Sequence, residues 1–325
     1  MKVAILSDGK PGHFNQSIGI ADIISEDIKV DYKVFDIEPK FKFLIKIYQR
    51  FFIKDFNKNK AKKIINLFKP IDIRNFDLLI SSGANTAYVS AALSKIYKVK
   101  NIHCGSIKTI NLDNYSAHIT VEPRNDSPNN IVTKIAPSRF KPSAVTKKDK
   151  QNRSLFLIGG NGAGYKYNLE DWHDLVQSIK KLSQTKKIKP IIVTSRRTNI
   201  HHEDFLYKQL IDYADDLSIW AGKDSSKLDL DKLFKIVDNI FVTEESATMM
   251  SEAISSGLSV CSLAPKNKQP NKLFLAQLER YTEANLIERM HFDSNLSITK
   301  SRDDNPLIVS DIRNALKKQI LERIK

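Results

Sequence analysis

The sequence predicts an α/β protein of two domains, each a parallel sheet with helices on both faces. Three observations predict it. Short apolar runs rich in β-branched residues recur along the chain, helical patterns fall between them, and one stretch poor in large apolar groups interrupts the alternation. Alternating strands and helices bury a parallel sheet between helical layers. A chain of 325 residues is long enough for two such domains.

In the first half the strand-like runs are Val3–Ser7, Val30–Ile37, Leu78–Ser81, Asn101–Cys104 and His118–Val121, with helical patterns at Ser17–Ser25 and Thr86–Tyr97. From Ala136 to Asn152 the chain is rich in Pro, Ser and Lys and reads as a linker. The pattern restarts with Ser154–Ile158, Ile191–Thr194, Asp216–Trp220, Asn239–Thr243 and Ser259–Leu263, and Ile308–Ile324 reads as an amphipathic helix. The expected division is residues 1–143, residues 144–305, and a terminal helix over 306–325.

Composition narrows the function classes. Hydrophobic residues make up 41% and charged residues 27%, which fits a soluble globular protein, and no run of about 18 apolar residues predicts a membrane-spanning helix. The opening MKVAILSDGKPGH reads as a buried strand entering a glycine loop, not as a signal peptide. Cys104 and Cys261 lie far apart, so neither a disulfide framework nor a zinc site is indicated, and the cytoplasm is the expected compartment.

The net charge is +15. Eleven lysines and arginines between Lys40 and Arg74 face only Asp55 and Asp72, leaving +9 in that window, with Phe41, Phe43, Phe51, Phe52 and Phe56 largely at helical spacing. A basic helix with an aromatic face suits an anionic membrane surface. An ordinary amphipathic helix with its Phe face in the core is the alternative. No zinc-finger or RNP-type motif supports nucleic acid as a partner.

The loops at strand ends carry the candidate chemistry. Ser7-Asp8-Gly9-Lys10-Pro11-Gly12-His13 forms a tight turn before the first helix and lacks the GK[ST] ending of a P-loop. His13 and Asp8 are its candidates for proton transfer, and Gly9, Gly12, Asn15 and Gln16 for contact with an acceptor. Ser82, Gly83 and Asn85 repeat the theme after a later strand, and His103 ends the next. Helix capping, and a satisfied buried histidine at 103, are the competing structural readings.

In the second half, Gly159-Gly160-Asn161-Gly162 follows the first strand, a loop able to wrap a phosphate with backbone amides. A dinucleotide site fits poorly, because the third glycine of GxGxxG is missing and Lys180-Lys181 stands where an acidic ribose partner belongs. Ser195-Arg196-Arg197-Thr198 ends the next strand, and paired guanidinium groups there suit a diphosphate. Thr243-Glu244-Glu245-Ser246 opens a helix through Thr248, Met249 and Glu252. Its N-terminus attracts anions, and Glu252 is placed to accept hydrogen bonds from ribose hydroxyls. Lys266 and Gln269 follow the last strand as candidates for sugar hydroxyls. No DxD pair stands in a suitable loop, so no metal is expected. The division suits an enzyme whose second domain holds a nucleotide-activated donor and whose first supplies the base, with reaction in the cleft between.

The segments SDGKPGHFNQSIGIA, VEPRNDSPNN, LIGGNG, VTSRRT and VTEESATMMSEAISSG, spread from Leu6 to about Glu279, resemble the mitochondrial fission Elm-type family in order and spacing. The resemblance implies a GT-B fold, two Rossmann-like domains facing each other across a cleft. For bacterial members it implies a glycosyltransferase that uses a nucleotide-sugar as substrate, without a further cofactor. The segment from Ser246 to Glu279 is similar to the donor-binding region of MurG-type transferases, which implies ribose binding by Glu252 and sugar contact by Gln269 and its neighbours. A cell-envelope acceptor at the inner face of the cytoplasmic membrane is the matching expectation. Two alternatives remain open: a sugar-nucleotide epimerase of the same fold, and a non-catalytic scaffold, since plant members resemble recruiters of a dynamin-like fission protein.

Overall fold

The computed structural model describes residues 1–40, 56–107, 110–122, 127–142, 153–224, 229–297 and 304–325. The aromatic half of the basic segment, residues 41–55, lies outside them. The chain divides into two compact units, Met1–Arg139 with Asp311–Lys325, and Phe140–Ser310.

The N-terminal unit is a parallel sheet of β1 (Lys2–Ser7), β2 (Asp31–Asp36), β3 (Leu78–Ser82), β4 (Lys100–Cys104), β5 (Ala117–Thr120) and β6 (Asn130–Val132), in the order β2-β1-β3-β4-β5-β6. Its central strands are buried on both sides, as a covered parallel sheet requires. Side-chain alternation divides the core. Val3 and Ile5 pack with Ile20, Ile23 and Ile24 of the helix Pro11–Ser25, whereas Ala4 and Leu6 pack with Ile64 of the helix Lys58–Asn66 and Leu93 of the helix Ala84–Tyr97. The first helix begins at Pro11, earlier than the apolar pattern from Ser17 indicates, because proline at the first helical position needs no amide partner.

The terminal helix Asn305–Ile324 completes this unit. Leu316 and Ile320 join the core beside β1 and β3, and Arg313 and Lys317 pair with Glu26. The described part of the basic segment also packs inward. Ala61, Ile64, Leu67 and Phe68 are buried, while Lys58, Lys62 and Lys63 are exposed.

The C-terminal unit is a second parallel sheet of β7 (Ser154–Ile158), β8 (Ile191–Thr194), β9 (Asn239–Thr243), β10 (Ser259–Ala264) and β11 (Glu288–His291), ordered β11-β10-β9-β7-β8. Its core stacks Phe156 on Phe241 at 4.5 Å and buries Trp172 of the helix Leu169–Lys186. The run Asp216–Trp220, expected as a strand, makes only an isolated bridge from Ile219 to Val193. β6 and β11 are short edge strands with exposed alternate residues, and the apolar pattern does not reveal them.

Both sheets reverse their strand order once. In the first, β1 leads outward to β2 and the chain returns to place β3 on its other side; in the second, β7 leads to β8 and β9 returns to its other side. In open α/β sheets ligands bind beyond the carboxyl ends of the strands at such a switch point.

Candidate functional site

At the switch point of the N-terminal unit, Asp8 follows β1 and Asn85 opens the helix after β3. The Asp8 carboxyl is buried, with side-chain exposure of 3%. It receives His13 Nδ1 at 3.0 and 3.1 Å on its two oxygens, Asn85 Nδ2 at 3.1 Å and the Lys10 amide at 3.3 Å. Burial pushes the carboxyl up, but His13, the Lys10 amide and the Lys10 ammonium more than offset it and hold the carboxyl below its ordinary value. An ionised carboxylate only accepts, so His13 Nδ1 donates to it and Nε2 is the ring nitrogen not engaged by Asp8.

Gly83 seats that ring. Its φ is +84°, and a Cβ there would overlap the imidazole of His13. Gly9 turns the preceding loop with φ +74°, and Gly12, Asn15 and Gln16 are half-buried on the first helical turns. Two expected acceptor contacts are corrected. Ser82 is fully buried and its hydroxyl meets that of Ser17 at 3.0 Å. His103 is fully buried, with Nδ1 2.8 Å from Ser81 Oγ and its ring stacked on His118. Burial, then the nearby His118 and His13, hold His103 well below the ordinary histidine range and so neutral.

In the C-terminal unit the loops after β7, β8 and β9 meet. The Thr198 hydroxyl donates to the Gly159 carbonyl at 2.7 Å, and a Cβ on Gly160 would overlap the Arg197 carbonyl. The Arg197 guanidinium lies over Gly162. The glycines therefore serve close approach between loops. The amides expected to cradle phosphate are already engaged: Gly159 N donates to Thr243 Oγ1 at 2.8 Å, Gly160 N to Glu245 Oε1 at 3.2 Å, and Gly162 N to the Tyr165 carbonyl at 3.2 Å. The Asn161 side chain is likewise held by the Tyr167 amide at 2.8 Å.

The two adjacent glutamates face different partners. Glu244, fully buried, accepts from Arg289 Nε at 2.8 Å, Arg289 Nη2 at 2.9 Å, Tyr165 OH at 2.7 Å and Ser262 Oγ at 2.8 Å. That set leaves Glu244 no capacity for a nucleotide, so its expected donor contact is replaced by a role inside the fold. Glu245 lies beneath the glycine turn and also accepts from Tyr167 OH at 3.0 Å. Sequence reasoning does not single out Glu245, Tyr165, Tyr167 or Arg289; the paired acids and the tyrosines two residues apart are the available signals.

What remains accessible is cationic. Arg196 and Arg197 are exposed, and among the described residues neither guanidinium has a carboxylate partner. Ser195 Oγ accepts from the Arg197 amide at 3.1 Å and closes the turn that carries them. Beside this loop, Ser246 caps the helix Ala247–Ser255 by accepting from the Met249 amide, with Thr248 and Met249 half-buried and Glu252 buried further along. Lys266 is engaged by Asp293 at 3.5 Å, and Gln269 is exposed. Among the described residues, no helix is long and apolar enough to cross a membrane.

The fold is shared with solved structures. A UDP-N-acetylglucosamine 2-epimerase described as putative, from Listeria monocytogenes, matches with TM-score 0.52 at 12% identity, covering 98% of this chain and 90% of that one. MnaA of S. aureus, solved with UDP, gives 0.50 at 11%, covering 98% and 90%. CalG4, the calicheamicin glycosyltransferase, gives 0.50 at 9%, covering 99% and 94%. These likenesses establish the GT-B type of fold, two Rossmann-like units. No curated protein sequence matches the chain. The model of the mitochondrial fission ELM1 family matches residues 11–307, nearly the whole chain, and the protein belongs to that family.

Proposed function

We propose that the protein is a metal-independent glycosyltransferase that moves a sugar from a nucleotide-sugar to a hydroxyl acceptor. One observation carries the reading: at the switch point of the C-terminal sheet, the Arg197 guanidinium lies over Gly162, where the backbone carbonyl of Glu245 just before the helix Ala247–Ser255 also sits, and the exposed Arg196 shares its turn, neither arginine having a carboxylate partner among the described residues. That arrangement attracts a diphosphate. Glu252 on the same helix is the candidate partner of the ribose, and Gln269 of the donor sugar.

The chemistry follows from the residues in hand. His13 Nε2 takes the proton of the acceptor hydroxyl while Asp8, fixed by Asn85, holds the ring and stabilises the imidazolium. The acceptor oxygen bonds to the anomeric carbon and the bond from that carbon to the phosphate oxygen breaks. The nucleoside diphosphate leaves with its charge met by Arg196 and Arg197. The exposed lysines at 58, 62 and 63 favour an acceptor at an anionic surface, which suits a lipid-linked or lipopolysaccharide-type molecule at the inner face of the membrane.

The test is turnover against a panel of nucleotide-sugars with lipid-linked acceptors. Release of nucleoside diphosphate that requires the acceptor supports transfer. An inverted sugar formed from donor alone assigns an epimerase. Binding and turnover of no donor, with function surviving Arg196→Ala and Glu252→Ala, assigns a scaffold.

A further inference from the structure

A second enclosed acid near the strand ends, next to Glu244, has no part in the scheme above. Glu245 is 1% exposed, and its side chain fills the space that a Cβ on Gly159 would occupy. It joins the end of β9 to the glycine turn through Gly160 N and to the chain beyond through Tyr167 OH. Its own backbone carbonyl lies against Gly162, over which the Arg197 guanidinium also sits. Glu245 thus touches the β7 loop directly and adjoins the β8 loop that carries the two exposed arginines.

We propose that Glu245 is the positioning residue of the anion site, holding the strand-end loops together and setting, by gaining or losing its proton, the charge that a diphosphate meets there. This deepens the donor-binding reading and rests on it. Burial raises the Glu245 carboxyl to about 7, against opposing hydrogen bonds from Thr243, its own backbone, Tyr167 and Gly160. The groups around it define the balance. Tyr167 faces it from beyond the glycine turn with Tyr165 next to it, and Arg197 comes from the β8 loop. Glu244 is neutralised by Arg289 from β11, and Glu252 lies buried on the helix that follows. With Glu245 neutral, the two arginines act undiminished. Ionised, it places a negative charge beside them and opposes an incoming anion.

The sign follows directly. Anion affinity is high below neutrality and falls as pH rises through the Glu245 transition. The probes are UDP-N-acetylglucosamine and GDP-mannose, whose diphosphate diesters keep a constant charge over the range. Calorimetric titration of the full chain is expected to show affinity falling about tenfold between about pH 5.5 and about pH 8.5, the size of one charge acting across the site. Glu245→Gln is expected to hold the low-pH affinity at both values. Tyr167→Phe removes a hydrogen bond to the carboxylate and moves the transition to higher pH, which keeps the test alive if the glutamine variant misfolds. A wild-type affinity without pH dependence overturns the proposal and leaves donor binding intact, as does an unchanged slope in Glu245→Gln. Binding of neither probe to any variant overturns the donor reading and this role with it.

Discussion

Replacing Arg289 by methionine isolates the buried ion pair that anchors the turn after β9. Glu244 is fully enclosed, and two of its four hydrogen bonds come from the Arg289 guanidinium. Removing one partner of a buried pair costs about 3–5 kcal/mol, because the remaining charge is left uncompensated. Arg289 is 32% exposed, so water softens the loss, and about 2–3 kcal/mol is the expected cost. Tyr165 and Ser262 still donate, which argues against a larger figure. Both tryptophans, Trp172 and Trp220, lie in the C-terminal unit, so their fluorescence follows its unfolding selectively. For a unit of this size the cost corresponds to a melting temperature lower by roughly 5–10 °C. Adding Glu244→Gln to Arg289→Met is expected to restore part of the loss, since the uncompensated charge is then gone. A loss below about 1 kcal/mol in the single variant, or no recovery in the double, refutes the assignment of Glu244 to the interior.

Four further outcomes follow. Moving the Glu245 carboxyl from its ordinary 4.5 to about 7 is worth about 3 kcal/mol; the contribution is complete below 4.5 and lost as pH rises through 7, so wild type should lose about that much against Glu245→Gln across this window in urea unfolding. Gly83→Ala forces a side chain into a positive-φ position already filled by the His13 ring, and should cost about 1–3 kcal/mol with turnover reduced alongside. His13→Ala should lower transfer about 10²–10⁴-fold in a steady-state assay while leaving nucleotide affinity unchanged. Ile320→Ala, in the core of the N-terminal unit, should cost about 2–5 kcal/mol, read by hydrogen exchange at β1 and β3.

Much of this architecture was legible because buried parallel strands leave plain apolar runs. β7, β9 and β10 sit within a residue of their expected bounds. The edge strands β6 and β11 were not legible, since one exposed side removes the continuous run. Asp216–Trp220 shows the reverse error, an apolar stretch buried by packing without a strand partner beyond one bridge. At the site, strand-end loops could be located, but not what each atom does there. The glycines looked like a phosphate cradle, and their amides prove to be bonded to Thr243, Glu245 and Tyr165. Adjacent acids at 244 and 245 point to different surroundings, and no local pattern says which one meets an arginine 45 residues later.

The return of Asp311–Lys325 to the first unit orders events during synthesis. Ile320 belongs among residues of β1 and β3, in the cluster that the helix Pro11–Ser25 also covers, so that face of the sheet stays incompletely covered until the last turns of the terminal helix leave the ribosome. The intervening unit has all its strands earlier and is free to fold first. Translation therefore produces the second lobe as a finished insert while the lobe begun first still waits for its closing piece.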